Sequence, residues 1–251
     1  MQASDGNLYG TTESGAGNGS IFKITPSGEF TTVHVLKQSA ASHSEDGEQP
    51  NSGLVEGDDK NLYGTARSGG KDSGYGTVFR VSPAGGFTIL HTFTRLDGAY
   101  PAAGLTKGRD GFYGTTSDGG RTPEGRFTKG TVFRITASGE FKMLHGFEGS
   151  SHDEGTDPEA RLLLANDGSL YGTTKWGGGG SNNYGTIFRI TPDGTWDLVY
   201  TFIRSDGAYP LSGLIQTKDG AFYGLTSKGG TADAGTVYKL TVTVEDLSSS
   251  P

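Results

Sequence analysis

Five copies of one phrase, a low apolar content and the absence of any sustained helical period together predict an all-β chain, a five-bladed β-propeller. The phrase is Leu8-Tyr9-Gly10-Thr11, Leu62-Tyr63-Gly64-Thr65, Phe112-Tyr113-Gly114-Thr115, Leu170-Tyr171-Gly172-Thr173 and Phe222-Tyr223-Gly224-Leu225. Its tyrosines fall 54, 50, 58 and 52 residues apart, a period that marks a stack or ring of one supersecondary unit. Apolar residues make up 32% of the 251, against 44 Gly and 9 Pro. Many thin sheets with tight turns fit that composition better than one thick core.

Each repeat holds four strand-like runs, here named A to D. Run A follows a proline, as in Pro50-Asn51-Ser52-Gly53-Leu54-Val55, and run B is the tyrosine-glycine phrase. Run C is of the Gly-Thr-Val-Phe-Arg-Ile type, as from Gly130 to Ile135, and run D ends in an aromatic residue or leucine, as from Phe87 to Phe93. All are short, β-branched or aromatic, and bounded by Gly, Asp, Ser or Pro, the signature of strands. Four antiparallel strands in each of five units is what a five-bladed propeller requires. The expected organisation is one domain over 1–251, with copies at roughly 1–49, 50–100, 101–157, 158–209 and 210–251. The first copy begins at B and the last ends after C, so the expectation is a closed ring whose termini share a blade.

The connections sort by length. From the run-C aromatic to the end of D the span is 14 residues in Phe22–Leu36, Phe79–Phe93, Phe133–Phe147 and Phe188–Phe202. The A-to-B span is 8 or 9, but B to C runs from 13 to 20 and D to A from 8 to 14. Antiparallel neighbours reverse direction, so the A–B and C–D turns are expected on one face and the variable B–C and D–A loops on the other. Function carried by a scaffold gathers where its loops vary.

Charge and composition exclude some classes. A net charge of −7 argues against nucleic acid, which needs a basic surface. The chain has no cysteine, so disulfides and thiolate metal sites are excluded. No apolar run reaches the length of about 18 residues that spans a bilayer. Met1 to Gly6 enters the repeat at once and carries no signal peptide.

Several recurring residues belong to the architecture. The Asp-Gly pairs at Asp110, Asp167 and Asp219 supply the positive φ of a tight hairpin. The basic residue of each C run (Lys23, Arg80, Arg134, Arg189, Lys239) is expected in a structural pairing or on a solvated sheet face. His34, His91 and His145 share one D-run site, held by Tyr200 in the fourth copy, and lie in different blades, too far apart for one metal. Neither a metal nor a cofactor is called for.

The phrases Asp-Gly-x-Leu/Phe-Tyr-Gly-Thr-Thr, Gly-Thr-Val-Phe-Arg-Ile-Thr-Pro-x-Gly and Asp-Gly-Ala-Tyr-Pro recur in fixed order from Asp5 to Thr241. In this the chain resembles the GloVer-type (Gloeobacter/Verrucomicrobia-type) tandem repeat of bacterial surface proteins. The resemblance implies a propeller-like repeat and an extracellular or cell-surface location, with the signal and anchor outside this sequence. It brings no catalytic residues.

Departures from the repeat are the candidates for function. The D–A phrase Asp-Gly-Ala-Tyr-Pro is altered to Asp46-Gly47-Glu48-Gln49-Pro50 and to Glu154-Gly155-Thr156-Asp157-Pro158, in the two longest loops, which also hold His43 and His152. Arg161 replaces the glycine found at Gly53, Gly104 and Gly213, with Glu159 two residues earlier on the same strand face. Trp176 stands where other copies have Ser14, Ser68, Asp118 or Lys228, followed by Gly177 to Gly180. Tyr75, Tyr100, Phe127, Tyr184 and Tyr209 are the other aromatic residues of the variable face, with Tyr100 and Tyr209 expected to pack between blades. An aromatic plane beside glycine and polar groups suits the flat face of a pyranose.

Three functions are open on this reading. One is a monomeric extracellular module that binds a glycan or other surface ligand, through Trp176, Asp157, Glu159, His43, Asp46 and Tyr184. The second is a polysaccharide-active hydrolase or lyase at the top of the central cavity, with His152, Glu154 and Arg161 as its catalytic group. Hydrolysis needs paired carboxylates, and the A runs offer only Glu56 and Glu159, whereas a lyase needs a base and a cation. The third is an adhesive array without a small ligand.

Overall fold

The computed structural model describes residues 1–15, 17–37, 44–71, 74–149, 154–179 and 183–242. They form strands and connecting turns, with no helix. The first sheet comprises β1 (Leu8–Thr12), β2 (Ser20–Ile24) and β3 (Phe30–Val35). The second comprises β4 (Val55–Glu56), β5 (Leu62–Ala66), β6 (Thr77–Val81) and β7 (Phe87–Thr92). The third has β8 (Thr106–Lys107), β9 (Phe112–Thr116), β10 (Thr131–Ile135) and β11 (Phe141–Gly146). The fourth has β12 (Leu163–Leu164), β13 (Leu170–Thr174), β14 (Thr186–Ile190) and β15 (Trp196–Thr201). The fifth has β16 (Ile215–Gln216), β17 (Phe222–Leu225) and β18 (Val237–Leu240).

Every sheet is an antiparallel meander in chain order, one per repeat, so the four runs are the strands in the order A-B-C-D. The C–D pairing carries a register shift at the same place in the first four sheets, as between Val78 and Phe79. Such a bulge bends the strand and strengthens its twist. The two-residue A strands β4, β8 and β12 touch one another in succession. A Cβ on Gly104 would meet the Gly53 carbonyl oxygen at 2.8 Å, so A is the innermost strand.

The sheets are too thin to hide apolar side chains alone and bury them against each other. Tyr9, Ile21 and Leu36 of the first sheet pack on Leu54, Leu62, Phe79 and Val81 of the second. The same positions recur as Tyr63, Val78 and Phe93 on Leu105, Phe112, Phe133 and Ile135. They recur again between the third and fourth sheets, and between the fourth and fifth. Each buried Phe or Leu contributes roughly 1.5–3 kcal/mol, which makes the inter-sheet seams the main source of stability. Thr11, Thr65 and Thr173 of the B strands add a hydroxyl hydrogen bond to the A-strand carbonyls of Ser52, Ala103 and Pro210 in the next sheet, at 3.0–3.1 Å.

The ring closure expected from the sequence is not among these contacts. Met1 to Ala3 pair with β1 inside the first sheet, where the Met1 and Tyr9 backbones exchange hydrogen bonds of 2.8 Å. They supply that sheet's missing inner strand. Among the described residues no strand pairing and no shared core joins the first sheet to the last. Their outward faces are uncovered instead: Leu8 and Phe30 are 47% and 58% exposed, and Ile215, Leu225 and Val237 are 62%, 51% and 77% exposed. In the fifth sheet Leu225 also stands in place of the bonding threonine.

The recurring polar residues are structural, as their recurrence suggests. The tyrosine hydroxyl of the B strand donates to the A–B turn aspartate, as from Tyr63 to Asp59 at 2.7 Å and from Tyr171 to Asp167 at 3.0 Å. C-strand cations meet the same carboxylates: Arg134 pairs with Asp110, and Arg189 lies 3.6 Å from Asp167. The D-strand histidines each face an acid of the following loop, with His34–Asp46 at 3.4 Å, His91–Asp97 at 3.0 Å and His145–Glu154 at 3.4 Å. Tyr200 repeats the arrangement, donating to Asp206 at 2.7 Å.

Candidate functional site

The variable face is built by cross-linking each D–A loop to the B–C loop of the sheet that follows it. Glu48 bridges to Ser68, Ala99 to Asp118, Thr156 to Trp176 and Ala208 to Lys228. The residue before the A-strand proline turns through the left-handed region at Gln49, Tyr100, Asp157 and Tyr209, with φ of 55–58°. Its amide donates to the residue before the C-strand glycine in the preceding sheet: Asn18, Tyr75, Lys129 and Tyr184. Two of these steps bring tyrosines together, Tyr75 on Tyr100 at 5.9 Å and Tyr184 on Tyr209 at 6.5 Å. The third step sets the cation Lys129 beside the carboxylate of Asp157.

That third step opens a cleft of about 370 Å³ lined by Lys129, Gly149, Thr156, Asp157, Trp176, Gly177 and Asn183. Trp176 is half-buried. It stands edge-on against Tyr209 at 4.6 Å, and the Lys175 ammonium lies over its ring at 5.7 Å. The Asn183 side-chain oxygen accepts from the Gly177 amide at 2.5 Å and ties the glycine run down beside the ring. The Lys175 amide donates to the Asp157 carbonyl at 3.1 Å, and its ammonium reaches Glu159 at 3.6 Å. Burial first, then the charge of Glu159, raises the Asp157 carboxyl above its ordinary value, while Lys175 and Lys129 pull it back.

Asp157 and Trp176 therefore line one cleft, Glu159 is tied to its edge through Lys175, and Arg161 lies further along the inner strand against Thr106 of the third sheet. Tyr184 joins the edge of this group through Tyr209, which lies between it and Trp176. His43 and His152 fall outside the described residues. Asp46 and Glu154 lie away from this cleft. Asp46 accepts from the Lys37 amide at 3.2 Å and faces His34, and Glu154 accepts from the Glu148 amide at 3.3 Å and faces His145. Both therefore occupy the outer-strand position that Asp97 and Asp206 hold in the regular copies. This is the position at which the altered phrases align with Asp-Gly-Ala-Tyr-Pro in the sequence. Glu56, the other A-strand acid, is occupied by the amide and hydroxyl of Ser4 at 2.7 and 2.5 Å.

Lys129, Lys175 and Asn183 were not singled out by sequence reasoning. Lys129 had a signal, since its site is tyrosine or asparagine in the other copies that pair there. A larger hollow of about 530 Å³ lies on the opposite face between Arg109, Asp110, Asn166, Asp167 and Pro192. A smaller hollow of the same build recurs one sheet earlier, between Asp58, Asp59, Arg109 and Asp110. It is therefore a product of the repeat rather than a departure from it. Among the described residues no cluster of His, Asp and Glu has the geometry to hold a metal.

Solved structures of similar fold are propeller-like. Virginiamycin B lyase from Staphylococcus aureus shares 18% identity over 98% of this chain and 74% of its own, with a TM-score of 0.55. A gluconolactonase from Xanthomonas campestris shares 13% over 88% of this chain and 66% of its own, with a TM-score of 0.51. An extracellular domain from B. thetaiotaomicron shares 10% over 94% of this chain and 26% of its own, with a TM-score of 0.57. Identities this low speak for the fold alone. No curated protein matches the sequence. The model of the Gloeobacter/Verrucomicrobia repeat matches residues 1–151 and 120–249, and the chain belongs to that repeat family.

Proposed function

We propose that this chain is a propeller-like binding module that takes a carbohydrate at the Trp176 cleft of its variable face. The observation that carries the proposal is the concentration of departures from the repeat: Lys129, Asp157 and Trp176 line one cleft, with Glu159 and Arg161 on the strand that follows Asp157. An indole ring beside a carboxylate, an ammonium and an amide offers a flat apolar platform with hydrogen-bond donors and acceptors at its rim. That is the chemistry of a sugar ring, apolar on its faces and hydroxylated at its edge. An extracellular setting suits a glycan ligand and the family's resemblance to surface proteins.

The test is a glycan array followed by calorimetry on the strongest hits. Trp176→Ala is expected to weaken binding at least about tenfold, or roughly 1.4 kcal/mol, with the thermal midpoint nearly unchanged. Absence of any glycan ligand, or a variant that binds as tightly as the parent, overturns the reading.

One observation favours a polysaccharide-active enzyme in the same cleft. The Asp157 carboxyl is raised and lies in the field of Glu159, and two carboxylates held in different environments are the working parts of a glycosidase. Chromatography of the polysaccharide after incubation separates the readings, because new reducing ends or unsaturated products mean catalysis.

A further inference from the structure

We infer that the ligand of the Trp176 cleft is an acidic sugar whose carboxylate or sulfate oxygens are held by the Arg161 guanidinium. The inference rests on the glycan reading and names its substrate class. Arg161 sits on the innermost strand, where the other copies carry Gly53, Gly104 and Gly213. Burial alternates through this segment: Ala160 and Leu162 are buried against the neighbouring sheets, while Glu159, Arg161 and Leu163 are not. Glu159 and Arg161 thus share one face of the strand, their origins about 7 Å apart by strand geometry, and Leu163, next on that face, packs against the core between the fourth and fifth sheets. The Lys175 ammonium links that face to the indole, lying 3.6 Å from Glu159 and 5.7 Å from the Trp176 ring.

The guanidinium is under-used by the protein. Its Nε–H donates to the Thr106 hydroxyl at 3.3 Å, and that hydroxyl donates to the Leu162 carbonyl at 2.5 Å. Among the described residues no carboxylate lies within ion-pair distance of it. Glu159, the nearest in sequence, is taken by Lys175. Burial draws the Arg161 pKa down with no acidic neighbour to restore it. The side chain is nevertheless open to solvent, so its unused N–H groups are accessible to a ligand. Glycine at the same site in three other copies shows that the strand does not need it.

The remaining N–H groups form a planar fork suited to two oxygens of one carboxylate or sulfate. The absence of a Cβ at Gly104 and Gly213 keeps the strands beside it low. Arg161 lies four residues along the strand from Asp157 of the cleft, roughly 13 Å at the rise of a strand, so an oxyanion there and a pyranose on Trp176 would belong to successive residues of one polysaccharide. The chain's net charge of −7 repels a polyanion at long range, so the attraction has to be local and salt-sensitive.

The test compares polygalacturonate, dextran sulfate and dextran by calorimetry at two salt concentrations, with the parent protein, Arg161→Gly, Arg161→Lys and Trp176→Ala. The parent is expected to bind at least one of the two polyanions about tenfold or more tightly than dextran, and the stronger of the two tells carboxylate from sulfate. Arg161→Gly restores the residue of the other copies and should bring that ratio close to one. Arg161→Lys should lie between, because it keeps the charge but loses the fork. A thermal melt checks that each variant is folded. If dextran binds as well as the polyanions, or if Arg161→Gly keeps the full preference, the acidic-sugar assignment fails. The glycan reading then stands so long as Trp176→Ala still weakens binding at least about tenfold. If none of the three binds and the array is blank, both readings fall.

Discussion

The imidazole of His91 lies flat on the ring of Phe141 in the next sheet, with centroids 3.8 Å and planes 4° apart, while its Nε2 sits 3.0 Å from Asp97. His34 on Phe87 and His145 on Trp196 repeat the stack at 4.1 and 5.1 Å. The aligned histidines are thus inter-sheet staples, each oriented by an acid of its own loop. His91→Ala is expected to cost about 2 kcal/mol, combining the lost ring pair with the cavity it leaves. Zinc should leave the melting temperature of the parent unchanged. Denaturant titration of the two proteins checks the first statement and a thermal melt with and without zinc the second, where a zinc-dependent rise would contradict the staple role.

The glycine of the repeated phrase exists because an aromatic ring of the C strand lies over it. A Cβ on Gly114 would meet the Phe133 ring at 2.5 Å and Leu105 at 2.9 Å. Gly114→Ala is expected to destabilise by about 1–3 kcal/mol through overpacking. Pairing it with Phe133→Leu should recover part of the loss. Chemical denaturation of both single variants and the double variant measures the recovery as a non-additive term.

High pH should loosen the sheets. Burial first, and then the facing aspartate, pushes the phenols of Tyr9, Tyr63 and Tyr171 up to about 12. A raised phenol pKa means that the folded state holds the proton more tightly. The stability this gives is complete below the ordinary tyrosine value of about 10 and is lost as pH climbs from there to about 12. Unfolding midpoints measured across that window should fall, with phenolate absorbance rising in step. A Tyr63→Phe variant should show a smaller fall.

Backbone protection should be uneven. Tyr63, Tyr113 and Tyr171 are covered by a following sheet, whereas Val237 and Leu225 of the last sheet and Leu8 and Phe30 of the first look outward. Hydrogen exchange is expected to be slowest in β9, β10, β13 and β14 and fastest in β1–β3 and β16–β18, since protection follows burial and neighbour count. Uniform protection across all five sheets would mean that the end faces are covered in solution.

The repeat period, the strand order and the separation of even turns from variable loops were all legible in the sequence, because each follows from local chemistry. Gly-Thr-Val-Phe-Arg-Ile is β-forming wherever it sits, Asp-Gly makes the same tight turn in every copy, and a span of 14 residues leaves a hairpin little choice. The departures at Asp157, Glu159, Arg161 and Trp176 were legible for the same reason, as breaks in a period. Tertiary structure decided which departures come together. Glu154 and Asp46 already align with Asp97 and Asp206 in the sequence, and the structure adds the D-strand histidine that each one faces. Lys129 breaks the pattern of Asn18, Tyr75 and Tyr184, but only the fold brings the Asp157 amide onto its carbonyl. The fate of the two ends was likewise a tertiary matter. A repeat pattern specifies how each sheet meets the next, but whether the last meets the first depends on the angle accumulated over four junctions. That angle is a sum of small twists and bulges, and no single residue encodes it.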